Sequence, residues 1–173
     1  MNNFASIVRL DEFQFSKVKY YSIQFDDNDK NEFYDFLNRM ESVEEATDDL
    51  DKLFVWIEII GETVGAKKEY FRNEAITADV SALPPPAAFM RAHKISVSHL
   101  RLYCLRVNDC VVFLFNGGVK TQTNAKDCPN VGPYIKQANR IVQEINKLFF
   151  SKEVCWNNDK TDIRYSLGLG IEI

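Results

Sequence analysis

The sequence predicts a single α+β domain over residues 1–173. An N-terminal strand and a helical hairpin pack on an antiparallel β-sheet, followed by a C-terminal helix and a small β appendage. Three observations carry that expectation. Phe33, Phe36, Leu37 and Met40 recur at helical spacing, and Leu50, Leu53, Phe54, Ile57, Ile60 and Val64 repeat the pattern beyond an acidic bridge. Two amphipathic stripes so closely joined make a helical hairpin. Residues 95–107 and 110–115 alternate as strands on either side of Asn108-Asp109, a turn pair that tolerates positive φ. Ile135, Ala138, Ile141, Val142, Ile145, Leu148 and Phe149 then trace an unbroken helical stripe behind Pro133, which suits a first helical turn.

In chain order, residues 1–17 read as an N-terminal extension holding the strand-like FASIVRL. VKYYSIQF is a second strand with Tyr21, Ile23 and Phe25 facing the core. DDNDK supplies a turn, with Asp29 as the helix N-cap, and Gly65 closes the second helix. Residues 66–82 read either as a short helix or as the rim of a loop. Pro84, Pro85 and Pro86 lack N–H donors and restrict their predecessors, so they predict an extended segment over the surface. Along 95–107, Ile95, Val97, His99, Arg101, Tyr103, Leu105 and Val107 share one face. Gly117-Gly118 predicts a bulge or a positive φ before Lys120. Residues 151–173 form the β appendage, a hairpin around Asn157-Asn158-Asp159 with an extended end.

Composition narrows the classes. With 46% hydrophobic and 27% charged residues the chain is globular, neither disordered nor fibrous. No stretch approaches the roughly 18–20 apolar residues of a bilayer span, and the N-terminus has no signal-peptide pattern, so a cytoplasmic protein with no membrane contact is expected. Cys104, Cys110, Cys128 and Cys155 form no CxxC pair and have no His at ligand spacing, so they read as free thiols and no metal site is expected. The net charge of −4 is unevenly spread: acids crowd residues 26–51, and bases prevail from Arg91 onward. Nucleotide-binding glycine motifs and a Gly-x-Ser-x-Gly elbow are absent. The 13 Phe and the terminal edge strands leave room for a homodimer.

The element order, together with HLRLYCLRVNDCVVFLFNGGVKTQT, resembles the RelE/HigB/ParE group of bacterial toxins. Members start with a strand, pass through a helical hairpin and return as an antiparallel sheet. Their strand phrases read like "yRv.y" and "ivlLhgF.KKTqkt". Arg101 stands at the strand arginine and Lys120 at the first lysine; Thr121 stands where the second lysine would be.

The resemblance implies a RelE-like fold and a toxin component of a toxin–antitoxin system. Such a protein is a metal-independent endoribonuclease that cleaves mRNA on the ribosome by attack of a ribose 2′-hydroxyl, needs no cofactor, and is neutralised by a cognate antitoxin protein. That chemistry needs cations on the phosphate and a proton acceptor and donor. Arg101 supplies a planar charged fork. Lys120 is a second phosphate contact or a base, and His99, two residues from Arg101, is the residue type that most often moves protons in such a site. Tyr103 could stack on a base, and Arg106 extends the substrate-binding strand. The alternative is a non-catalytic protein–protein interaction domain on the same fold, in which Arg101 and Lys120 bind an acidic partner or are structural.

Overall fold

The computed structural model describes residues 3–74 and 78–173. In chain order the elements are β1 (Phe4–Gln14), β2 (Lys19–Phe25), α1 (Glu32–Glu41), α2 (Thr47–Glu58), β3 (Arg72–Asn73), β4 (Ser81–Leu83), α3 (Ala87–His93), β5 (Leu100–Arg106), β6 (Val111–Val119), α4 (Gly132–Ser151), β7 (Val154–Trp156), β8 (Ile163–Tyr165) and β9 (Gly170–Glu172). The fold is α+β. Seven strands form one sheet in the order β3-β4-β5-β6-β2-β1-β9, and β7 and β8 form a separate hairpin. Every neighbouring pair in the large sheet is antiparallel except β2 against β6.

That parallel pair makes β2 a central strand, and it changes what β2 buries. The expected face, Tyr21, Ile23 and Phe25, packs with Phe113, Phe115 and the α4 stripe. The opposite face is also buried: Val18 and Tyr20 pack with Phe33, Phe36, Leu53 and Trp56 of α1 and α2. The Tyr20 hydroxyl is satisfied there by the Ile57 carbonyl at 2.9 Å. Helices therefore cover both faces of the sheet, α1, α2 and α3 on one and α4 with the β7–β8 hairpin on the other. The C-terminal end is part of the sheet, because Phe4, Ala5 and Ser6 of β1 pair with Glu172, Ile171 and Gly170 of β9.

Several local expectations are corrected. Asn31, not Asp29, caps α1, its side chain accepting the Tyr34 N–H at 2.9 Å. Gly65 ends the second helix as expected, at φ 78°, after a π-helical turn over Ile59–Val64. The proline segment is not a surface strap. Pro84 and Pro85 are buried, and Pro86 leads into α3. Arg72 fixes them, its guanidinium donating to the Pro84 and Pro85 carbonyls at 2.9 and 3.0 Å.

The long strand expected from residue 95 starts only at Leu100. Its first residues are claimed by an acid of α2. The Asp49 carboxylate, 6% exposed, accepts the N–H groups of Ser98, His99 and Leu100 at 3.0, 2.8 and 3.3 Å. Three consecutive donors on one carboxylate replace a strand neighbour. At the other end, β6 runs on through Gly117 and Gly118 to Val119 instead of stopping at Phe115.

Candidate basic site at the open end of the hairpin

The β5–β6 register decides which site residues meet. Arg101 pairs with Gly118 and Leu100 with Val119, and the Lys120 N–H continues the ladder to the His99 carbonyl at 2.8 Å. Lys120 is thus the diagonal neighbour of Arg101, with Cα atoms roughly 7–8 Å apart. Leu100 belongs to the core under α1 and α2, and Val119 packs against it. Alternation therefore puts Arg101 on the other face, the one that carries α4, and turns Lys120, the residue after Val119, the same way; His99 lies at a bend before β5, where only its carbonyl is tied to Lys120. His99 is exposed, whereas Arg101 and Lys120 are half-buried.

The two glycines set this geometry through close approach, not through positive φ. Between the pairs Leu102–Gly117 and Cys104–Leu114 the register shifts, so Phe115 and Asn116 lie opposite Tyr103 alone. A Cβ at Gly117 would sit 1.9 Å from the Arg101 carbonyl oxygen. One at Gly118 would sit 2.9 Å from the Asn130 carbonyl oxygen, because the segment leading into α4 lies directly on the strand.

Electrostatically, Arg101 is a partly desolvated cation. Burial pulls its guanidinium below the ordinary arginine range, opposed by Glu74, Tyr103 and Asp49. Arg72 lies close enough that Arg101 lowers it further, after the effect of its own burial. Arg101 Nη1 donates to the Leu100 carbonyl at 2.8 Å, and among the described residues no carboxylate lies within ion-pair distance of it. One face of its donor fork is held by the backbone while its charge is left uncompensated at close range.

Two sequence-predicted site residues do not join this cluster. Tyr103 has no exposed surface; its ring is part of the core beneath α4 and is not presented for stacking. Its hydroxyl is buried and has no hydrogen-bond partner among the described residues, and burial followed by Glu74 pushes its ionisation upward. Arg106 sits five residues along β5, roughly 17 Å from Arg101 at strand rise. It donates to the Ala66 carbonyl at 2.5 Å and pairs with Asp109. It fastens the closed end of the hairpin.

Beside the basic rim lies a feature that sequence reasoning missed. Asn116, 3% exposed, donates from Nδ2 to Asp35 at 2.8 Å and to Glu32 at 3.2 Å. Arg39 donates to the Asn116 side-chain oxygen and to the Gly117 carbonyl at 2.8 Å, and pairs with Asp35 at 3.1 Å. Burial raises Glu32, offset by the Asn116 hydrogen bond. The Arg39 guanidinium also stacks over Tyr134 at 4.5 Å. A polar Asn in the apolar run VVFLFNGG and a lone Arg in an acidic helix were the available signals.

Cys128 borders the same rim. The Thr121 N–H and hydroxyl each lie 3.4 Å from its sulfur. Burial pushes this thiol up, but the Thr121 hydroxyl and the backbone N–H groups of Thr121, Asn130 and Gln122 outweigh it and hold it at about 7. Among the described residues no helix is long and apolar enough to cross a membrane. No protein-family model, no curated protein and no solved structure matches the chain.

Proposed function

We propose that this chain is a RelE/HigB-like toxin component, a metal-independent endoribonuclease acting on mRNA at the ribosome and restrained by an antitoxin protein. One observation carries the reading: the β5–β6 register sets Lys120 diagonal to Arg101 at the open end of the hairpin, and the Lys120 N–H bonds the carbonyl of His99. The acidic helices α1 and α2 pack on the opposite face. The order of β2, α1, α2, β4, β5 and β6 supports the resemblance as well.

In this mechanism Arg101 and Lys120 hold the scissile phosphate and offset the charge that develops on its oxygens. His99 accepts the proton of the attacking 2′-hydroxyl. Bond making joins the 2′-oxygen to phosphorus, and bond breaking releases the 5′-oxygen, which takes up a proton. The products are a 2′,3′-cyclic phosphate and a 5′-hydroxyl.

The test combines growth after induced expression with cleavage of RNA on translating ribosomes. Wild type is expected to arrest growth and cleave. Arg101→Ala and Lys120→Ala are each expected to lose about 10²–10³-fold in cleavage rate, the usual loss on removing one charge-stabilising donor. Unimpaired growth together with uncut RNA for the wild-type chain overturns the proposal.

A second reading, a non-catalytic interaction domain, is favoured by the Arg101 bond to Leu100. It predicts capture of an acidic partner that weakens with Arg101→Ala, with no cleavage.

A further inference from the structure

We infer that the cleft between α1 and the Pro129–Tyr134 segment is a nucleobase pocket, which receives a base of the RNA whose phosphate lies on Arg101 and Lys120. This rests on the RNA-directed function proposed above. The cleft encloses about 670 Å³, enough for a nucleoside, and Val119 and Thr121 line it on either side of Lys120 in the chain. Lys120 itself turns to the other face, but Gly118, the register partner of Arg101, lines the cleft, so a phosphate held on Arg101 lies one strand spacing from it.

The lining has the chemistry a base requires. Met40, Val43, Val119, Pro129 and Pro133 supply apolar walls. The guanidinium of Arg39 stacks on Tyr134, and Asp35, Asn116 and the Gly117 carbonyl fix it in plane. Arginine planes and aromatic rings are the usual platforms for an unstacked RNA base. At the edges stand Glu45 and Asn130, both exposed, whose side chains make no hydrogen bond or ion pair with a described residue. A carboxylate accepts from an exocyclic amine, and a carboxamide offers a donor and an acceptor together, the pattern that reads a base edge. Apolar walls alone would suit any flat ligand; the two unspent polar edges single out a heterocycle with ring and exocyclic nitrogens.

The experiment measures binding of a fluorescein-labelled RNA heptamer to the full chain by anisotropy, alongside heptamers abasic at one position each. Asn130→Ala and Glu45→Gln probe the cleft, and Arg101→Ala probes the phosphate site. Expected are at least fivefold weaker binding of one abasic heptamer, a like loss for Asn130→Ala with intact RNA, and little added loss when the two are combined. Arg101→Ala should weaken intact and abasic heptamers equally. If every abasic heptamer binds as tightly as the intact one while Arg101→Ala still weakens binding, the base pocket is refuted and the RNA reading survives. If no heptamer binds, the RNA reading fails and the pocket with it.

Discussion

Removing Asp49 should loosen the candidate site from the far side of the sheet. The Asp49 carboxylate accepts three backbone N–H groups, and His99 and Leu100 share its Oδ2. Hydrogen bonds to a charged group contribute about 1.5–3 kcal/mol each, and leaving a buried donor unmet costs a comparable amount. In Asp49→Ala the N–H groups of the exposed Ser98 and His99 can turn to water, whereas that of the buried Leu100 cannot. The net loss is therefore well below the sum, roughly 2–4 kcal/mol. For a chain of this size that corresponds to a fall of roughly 4–16 °C in melting temperature. Asp49→Asn retains one acceptor oxygen and sets an N–H₂ against a donor, so about half the loss is expected. Urea denaturation measures the stability, and amide exchange at His99 and Leu100 locates it. Asp48 is the control: it is exposed and makes a single surface pair with Lys52. If Asp49→Ala costs no more than Asp48→Ala, the carboxylate does not hold the segment and the reasoning is wrong.

Gly117→Ala should destabilise by roughly 2–4 kcal/mol, since its Cβ meets the backbone of Arg101 and Leu102 and must part β5 from β6. Gly170→Ala, with nothing within 4 Å, should change stability little; equal costs in urea titrations would contradict the close-approach argument. The Cys128 thiolate should appear with a midpoint near 7 in a 240 nm titration of wild type minus Cys128→Ser. Because its folded value lies below the unfolded value of about 9, the stability it contributes is full above that pH and is lost as pH falls toward 7. A midpoint at or above 9 would show that the Thr121 contacts do not hold the thiolate.

The legible parts of the fold were those with long, one-faced periodicity. The α4 stripe of Ile135, Ala138, Ile141, Val142, Ile145 and Leu148 is buried as its spacing requires, and so are Phe33, Phe36, Leu37 and Met40 of α1. α3 escaped because seven residues after three prolines are too few to show a period. The start of β5 departs from its sequence pattern for a different reason. ISVSHL alternates like a strand, but its N–H groups are taken by a carboxylate some fifty positions earlier in the chain. Alternation correctly put Arg101 and Tyr103 on one face, yet it cannot say where along that face a covering helix stops. α4 and its leading segment bury Tyr103 and leave Arg101 at the margin. The Arg39–Asn116–Tyr134 group draws on α1, β6 and α4, so no local pattern could assemble it.

Thr121 is the point where the chain departs from the lysine pair it resembles, and the fold gives that departure a physical content. A lysine at 121 would retain the backbone bond to Cys128 but not the hydroxyl contact, and it would add a fourth cation to a rim that already has Arg72, Arg101 and Lys120. Threonine instead packs its hydroxyl on the sulfur and lines the cleft beside Val119. The position thus ties the strand end to the segment before α4, whose Asn130 carbonyl rests on Gly118. What the rim lacks in charge it gains in a fixed wall. The surface around its cations is shaped by contacts at Gly117, Gly118 and Thr121, and on the proposed RNA-directed reading selection among RNA sequences falls to the neighbouring cleft more than to the basic rim.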